Sequence, residues 1–225
     1  MKCLRCSSPL ALCLAASVLL FTAAVVAKDF SASDLPAVSN PRSYPIHEAH
    51  EDEHVAIALD PYIGEEKEKP LRISFDKFAL LPLRLIITNE GDTPISLVNM
   101  KVQFITSHNE KQSPASLDDL ERRLASAPKS TIPINPLPIP LPRRKQKRIS
   151  TAMQDELEYL QFKAKAVEAH STQSGFVIFD TRGMSQPLAG SHVYIDGINS
   201  SEGRDLFYFD LPLDKAAAVA KSPAK

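Results

Sequence analysis

The segment His47-Glu48-Ala49-His50-Glu51-Asp52-Glu53-His54 concentrates three imidazoles and four carboxylates in eight residues. Imidazole nitrogen is a good ligand for zinc, copper or nickel. On a helix His47, His50 and His54 would lie at i, i+3 and i+7 along one face, which makes them candidate metal ligands. The spacing is not that of the HExxH metalloprotease motif, whose histidines stand four apart around a glutamate. If a strand begins at His54, that residue cannot share a helix with the other two. The competing reading is a solvated acidic linker ahead of the first strand.

A second concentration of charge is Arg143-Arg144-Lys145-Gln146-Lys147-Arg148. Arg143, Arg144, Lys145, Lys147 and Arg148 are candidates for contact with an anionic surface, such as the phosphates of envelope lipids, where each basic residue contributes about 1 kcal/mol. The alternative is a solvated loop. No aromatic residue is interleaved with these charges, so the run does not read as a nucleic-acid platform. The preceding Ile132–Pro142 stretch alternates proline with apolar residues and must be extended, which suits a stiff spacer better than an SH3-type ligand.

Nucleophilic and phosphate-transfer chemistry find no motif. There is no Gly-x-Ser-x-Gly elbow, no phosphate-cradling glycine loop and no dinucleotide fingerprint. Asp180, Asp196 and Asp210 stand at predicted strand ends, as turn-forming acids do, and His170 and His192 read as structural histidines. The chain is therefore read as a non-enzyme that needs no cofactor. Phe176, Phe179, Phe207, Tyr208 and Phe209 are expected in the core, with any outward ring forming a binding patch.

The compartment is read from the N-terminus. Lys2 and Arg5 precede an apolar run from Leu10 to Val26, and Val25 and Ala27 are small residues where signal peptidase needs them. Residues 1–27 are read as a signal peptide, with an uncleaved inner-membrane anchor over residues 9–27 as the alternative. Cleavage would remove all three cysteines, Cys3, Cys6 and Cys13, leaving no disulfide or thiolate ligand. It would also remove Lys2 and Arg5 and no acid. The 27 acidic residues of the whole chain then outnumber the remaining basic ones by three, and no nucleic-acid partner follows from that balance. The expected location is the periplasm or the exterior, with membrane contact only through the signal or anchor and with a protein or other envelope component as partner.

The remainder reads as a flexible linker over 28–46, a β-sandwich domain over 47–213 with an insertion at 108–160, and a flexible tail over 214–225. Eighteen prolines argue against a large helical fold. Alternating apolar residues predict a strand at 54–59, strands at 83–89 and 95–104 joined by a Glu90-Gly91-Asp92 turn, and further strands at 175–180, 191–196 and 205–211. Residues 162–167 read as strand in preference to a continuation of the helix before them. Serine caps and leucine spacing predict helices over 116–124 and 150–160. About seven strands without βαβ alternation predict a mainly β protein, an immunoglobulin-like antiparallel sandwich with a helical, proline-rich insertion.

The stretches Pro82–Ile95 and Gly203–Leu213 resemble signatures of a group of uncharacterised exported bacterial proteins of acidobacterial type, and the likeness spans most of residues 54–213. It implies an extracytoplasmic β-sandwich and brings no catalytic residues with it. Where that group has a Pro-Gly turn before Gly175, this chain has His170-Ser171-Thr172-Gln173-Ser174.

Overall fold

Strand β3 (Leu80–Asn89) is the spine of the molecule, because all of its residues but Thr88 are buried. A strand is buried on both faces only when layers pack on each side of its sheet. In this computed structural model, which describes residues 35–126 and 148–216, two such layers are present. The signal segment, the proline-rich stretch, Arg143 to Lys147 and the tail beyond residue 216 lie outside the described residues.

The first sheet has the order β1-β2-β3-β8, all antiparallel, with β1 at Ile46–His50, β2 at Val55–Pro61 and β8 at Ser171–Asp180. Its register sets Ile57 opposite Ile87 and Leu83 opposite Val177. The second, also antiparallel, has the order β11-β9-β5-β6, from β5 (Lys101–Ile105), β6 (Lys111–Gln112), β9 (His192–Asp196) and β11 (Phe209–Pro212). A small third sheet joins β4 (Ile95–Ser96), β7 (Ala166–Val167) and β10 (Asn199–Ser200). The protein is thus a mainly β sandwich. Among the described residues its strands number eleven rather than seven, because β1 reads as linker in the sequence, the predicted strand 95–104 divides into β4 and β5, and β6 and β10 are two-residue ladders, too short to show a period of two.

Between the two larger sheets lies a core built from alternate residues: Leu81, Leu83, Leu85 and Ile87 of β3 meet Phe104 and Val193 of the facing sheet. Phe104 and Phe179 touch across this space at 5.3 Å between ring centroids. A second core covers the opposite face of the first sheet. There Leu80, Phe176 and Ile178 are capped by Tyr62, Phe75 and the leucines of two helices. A one-turn helix, α1 (Glu65–Glu68), precedes this layer. The covering helices are α2 (Leu117–Ala125) and α3 (Thr151–Leu160), which bury Leu120, Leu124, Leu157 and Leu160. Ser116 and Ser150 cap them by accepting hydrogen bonds from the Asp119 and Met153 amides, as the sequence predicts.

Several expectations change. Residues 46–50, read as linker and acidic approach, form β1, because Ile46 is fully buried and the segment has β2 to pair with. Before it, Pro41 is buried, and the Pro36 carbonyl accepts a hydrogen bond from the buried Arg84 guanidinium at 2.7 Å. The predicted strand at 162–167 shrinks to Ala166–Val167, while Phe162 crosses the edge of β8 and donates its amide to the Phe176 carbonyl. Gly175 permits that crossing, since a Cβ there would lie 2.5 Å from Phe162 Cα. The strand predicted from 175 begins at Ser171, and the preceding turn is made by His170 at φ 51°. Residues 206–208 leave the ladder, so β11 begins at Phe209.

Candidate binding surface

Strands β1 and β11 are each an edge strand of one of the two large sheets, and the histidine-acid segment fastens one to the other. Side chains alternate along a strand, so Glu48 and His50 share the face of the buried Ile46, and His47 takes the other. Glu48 accepts a hydrogen bond from the Asp210 amide at 2.6 Å. Glu53, in the 3-10 turn that follows β1, accepts from the Phe207 amide at 3.0 Å. His50 sits between them, each ring nitrogen 3.2 Å from one carboxylate, and stacks on Phe209 with centroids 4.0 Å apart. The Leu213 amide bonds the Ser191 carbonyl, just before β9, so by alternation the outward positions of β11 are 210 and 212. Glu48 takes the first amide and Pro212 has none, which leaves little for another strand to pair with.

The three candidate metal ligands are not brought together. His47 Nδ1 lies 2.6 Å from the Tyr44 carbonyl. His54 adopts the left-handed conformation at φ 54° and closes the turn between β1 and β2. Among the described residues no group of three or more His, Cys, Asp or Glu side chains could hold a metal ion. Of the basic candidates only Arg148 is described, on a groove beside Arg122, Glu121 and Asp118 where α2 approaches the start of α3. Arg143, Arg144, Lys145 and Lys147 lie outside the described residues.

The five predicted core aromatics divide. Phe176, Phe179 and Phe209 are buried, whereas Phe207 is 73% and Tyr208 54% exposed. Tyr208 stacks on Tyr194 at 5.1 Å between centroids, and Val98, 69% exposed, lies on the same groove of about 770 Å³. Gly197, at φ 75°, shapes its floor, because a Cβ there would overlap the Asn99 carbonyl. Asp196 and Asp205 also line the groove. Asp205 is engaged by the Asn199 side-chain amide, but one buried oxygen of Asp196 has no hydrogen-bond partner. Lys101 faces Asp196 across the β5–β9 ladder, and Asp210 faces Tyr194 across β9–β11. The Tyr194 hydroxyl is harder to ionise than a free tyrosine, first through desolvation and then through the Asp196 carboxylate.

Of the other titratable candidates His170 and Asp180 serve turns, whereas His192 lies on the same face of β9 as Tyr194. His170 pairs with Asp92 at 2.9 Å at the start of β8, in a different sheet from His192. His192 lies 3.8 Å from Asp210. Asp180 ends β8 and accepts from the Arg182 amide and guanidinium. Burial opposes its ionisation, but Arg182 prevails and holds the carboxyl below its ordinary range.

Fold and site define a mainly β sandwich that presents a clamped aromatic face. No family model matches the chain and no curated protein matches it. A crystal structure described as the X-ray structure of Northeast Structural Genomics Consortium target SoR45 aligns at 9% identity over 71% of this chain and 87% of that one. Its TM-score is 0.28, below what defines a common fold. No helix among the described residues is long and apolar enough to cross a membrane.

Proposed function

We propose that this protein is a non-catalytic binding module of the bacterial cell envelope, exported by residues 1–27, which contacts a partner through the face bearing Phe207, Tyr208 and Val98. The observation that carries this reading is the exposure of Phe207 and Tyr208 on backbone tied at 207 and 210 by the carboxylates of Glu53 and Glu48. Large exposed aromatics held rigidly lose little entropy on binding, and clustered apolar surface of this kind marks interaction sites. The test compares the full chain with a Phe207→Ser, Tyr208→Ser double variant, both expressed in the native host. Wild type should remain with the envelope fraction and carry Lys28 as its N-terminus. The variant should be folded, by unchanged circular dichroism, but released into the soluble fraction. Equal retention of both proteins would overturn the assignment of the face.

A further inference from the structure

We propose that this face binds an arginine-bearing segment of a partner protein, which rests on the binding-module reading and adds the chemistry of the ligand. The groove combines two features that a cation satisfies together. Its rings are accessible, with Tyr208 stacked on Tyr194 and Phe207 exposed beside them, edge-on to the His50 ring at 6.4 Å between centroids. Its carboxylates outnumber its cations, with Asp196 and Asp205 on the groove and Asp210 next to Tyr194, against Lys101 opposite Asp196 and the His192 ring near Asp210. An aromatic face attracts a cation through its quadrupole, and guanidinium does so best because it also stacks as a plane. The carboxylates of Asp196 and Asp205 line the groove, and a guanidinium presents several donors in a planar fork that matches them. An anionic ligand would meet Asp196, Asp205 and Asp210 with the same sign, and an apolar ligand would gain nothing from those charges. A neutral sugar could stack and donate hydroxyls, but it gains nothing from the excess of carboxylates.

The probe is an octapeptide of alternating arginine and glycine, added to the isotope-labelled full chain, with amide chemical shifts as the readout. Controls are the lysine and glutamate versions and a neutral β-linked oligosaccharide. Expected are shifts confined to residues near 98–101, 194–197 and 205–208, about tenfold weaker binding by lysine, and loss of affinity as salt rises. Tyr208→Ala and Asp196→Asn should each weaken arginine binding about tenfold or more. Tyr208 is exposed, so its variant keeps the test valid if the Asp196 change disturbs the fold. The proposal is overturned if the arginine peptide produces no shifts, if both variants bind it as wild type does, or if the oligosaccharide binds in its place. Should arginine binding fail while the Phe207, Tyr208 variant still leaves the envelope, the ligand class is wrong and the binding-module reading stands.

Discussion

Glu53 lies far from Phe207 in the chain yet accepts that residue's amide, and Glu48 does the same for Asp210. A carboxylate that caps a backbone donor makes a charge-assisted bond, roughly twice the strength of a neutral one. His50 orients both acids and presses on Phe209, so the three side chains position the rings on either side of Tyr208. Glu53→Ala or His50→Ala should therefore cost about 1–3 kcal/mol and speed amide exchange at Phe207 and Asp210. Protection in β2 and β3 should be unchanged. Exchange at 207 and 210 as slow as in wild type would show that the backbone there is held by other contacts. The same alternation bears on metal binding. His47 and His50 leave β1 on opposite faces, so an equimolar zinc titration should leave thermal stability unmoved. A stoichiometric rise in Tm that is lost in His47→Ala would mean that β1 rearranges to bind the ion.

Helix α3 carries the one acid among its buried residues. Glu156 is 1% exposed, accepts the Arg72 amide through Oε1 at 2.8 Å, and keeps a second oxygen with no partner. Burial raises its pKa above the ordinary 4.5, against the lowering effect of the Arg72 bond. A carboxyl whose folded pKa is raised contributes stability below its unfolded pKa and loses it as pH climbs through the folded value. Glu156→Gln should therefore be more stable than wild type at neutral pH and less so, or equal, near pH 4. Urea titrations at the two values check this, and a variant that is weaker at both would show that the charge contributes favourably to the fold. The element was legible in the sequence: Ser150 marks its start, and Leu157 with Leu160 its buried face. The placement of Glu156 was not, because a polar residue among leucines reads as exposed until the layer beneath is known.

Two cores share one sheet. Leu83 of β3 faces the sandwich interior, while the helical layer buries Leu157 against Phe176 and Ile178 of β8, the strand paired with β3. Close packing on both sides of the same strands couples the layers, so they should unfold together. Leu83→Ala and Leu157→Ala should each cost about 2–5 kcal/mol and leave a single transition. Far-ultraviolet and tyrosine signals that melt at different temperatures in Leu157→Ala would show the helical layer to be an independent unit.

The periods of two in β2, β3, β8 and β9, and the serine-capped leucine repeats of α2 and α3, are local properties. A strand or helix must bury one face, so residue spacing along the chain was enough to read a mainly β protein with two helices. Strand β1 escaped because Glu48 and His50 are polar on the side that faces inward, a pattern that makes sense only once the bare amides of 207 and 210 lie opposite. Likewise nothing local distinguishes Phe207 from Phe209, two residues apart and one 73% exposed, the other buried. That difference arises where the chain leaves the ladder before Phe209. It depends on contacts with β1 from the other end of the sequence, and pairing at such separation is decided by tertiary packing.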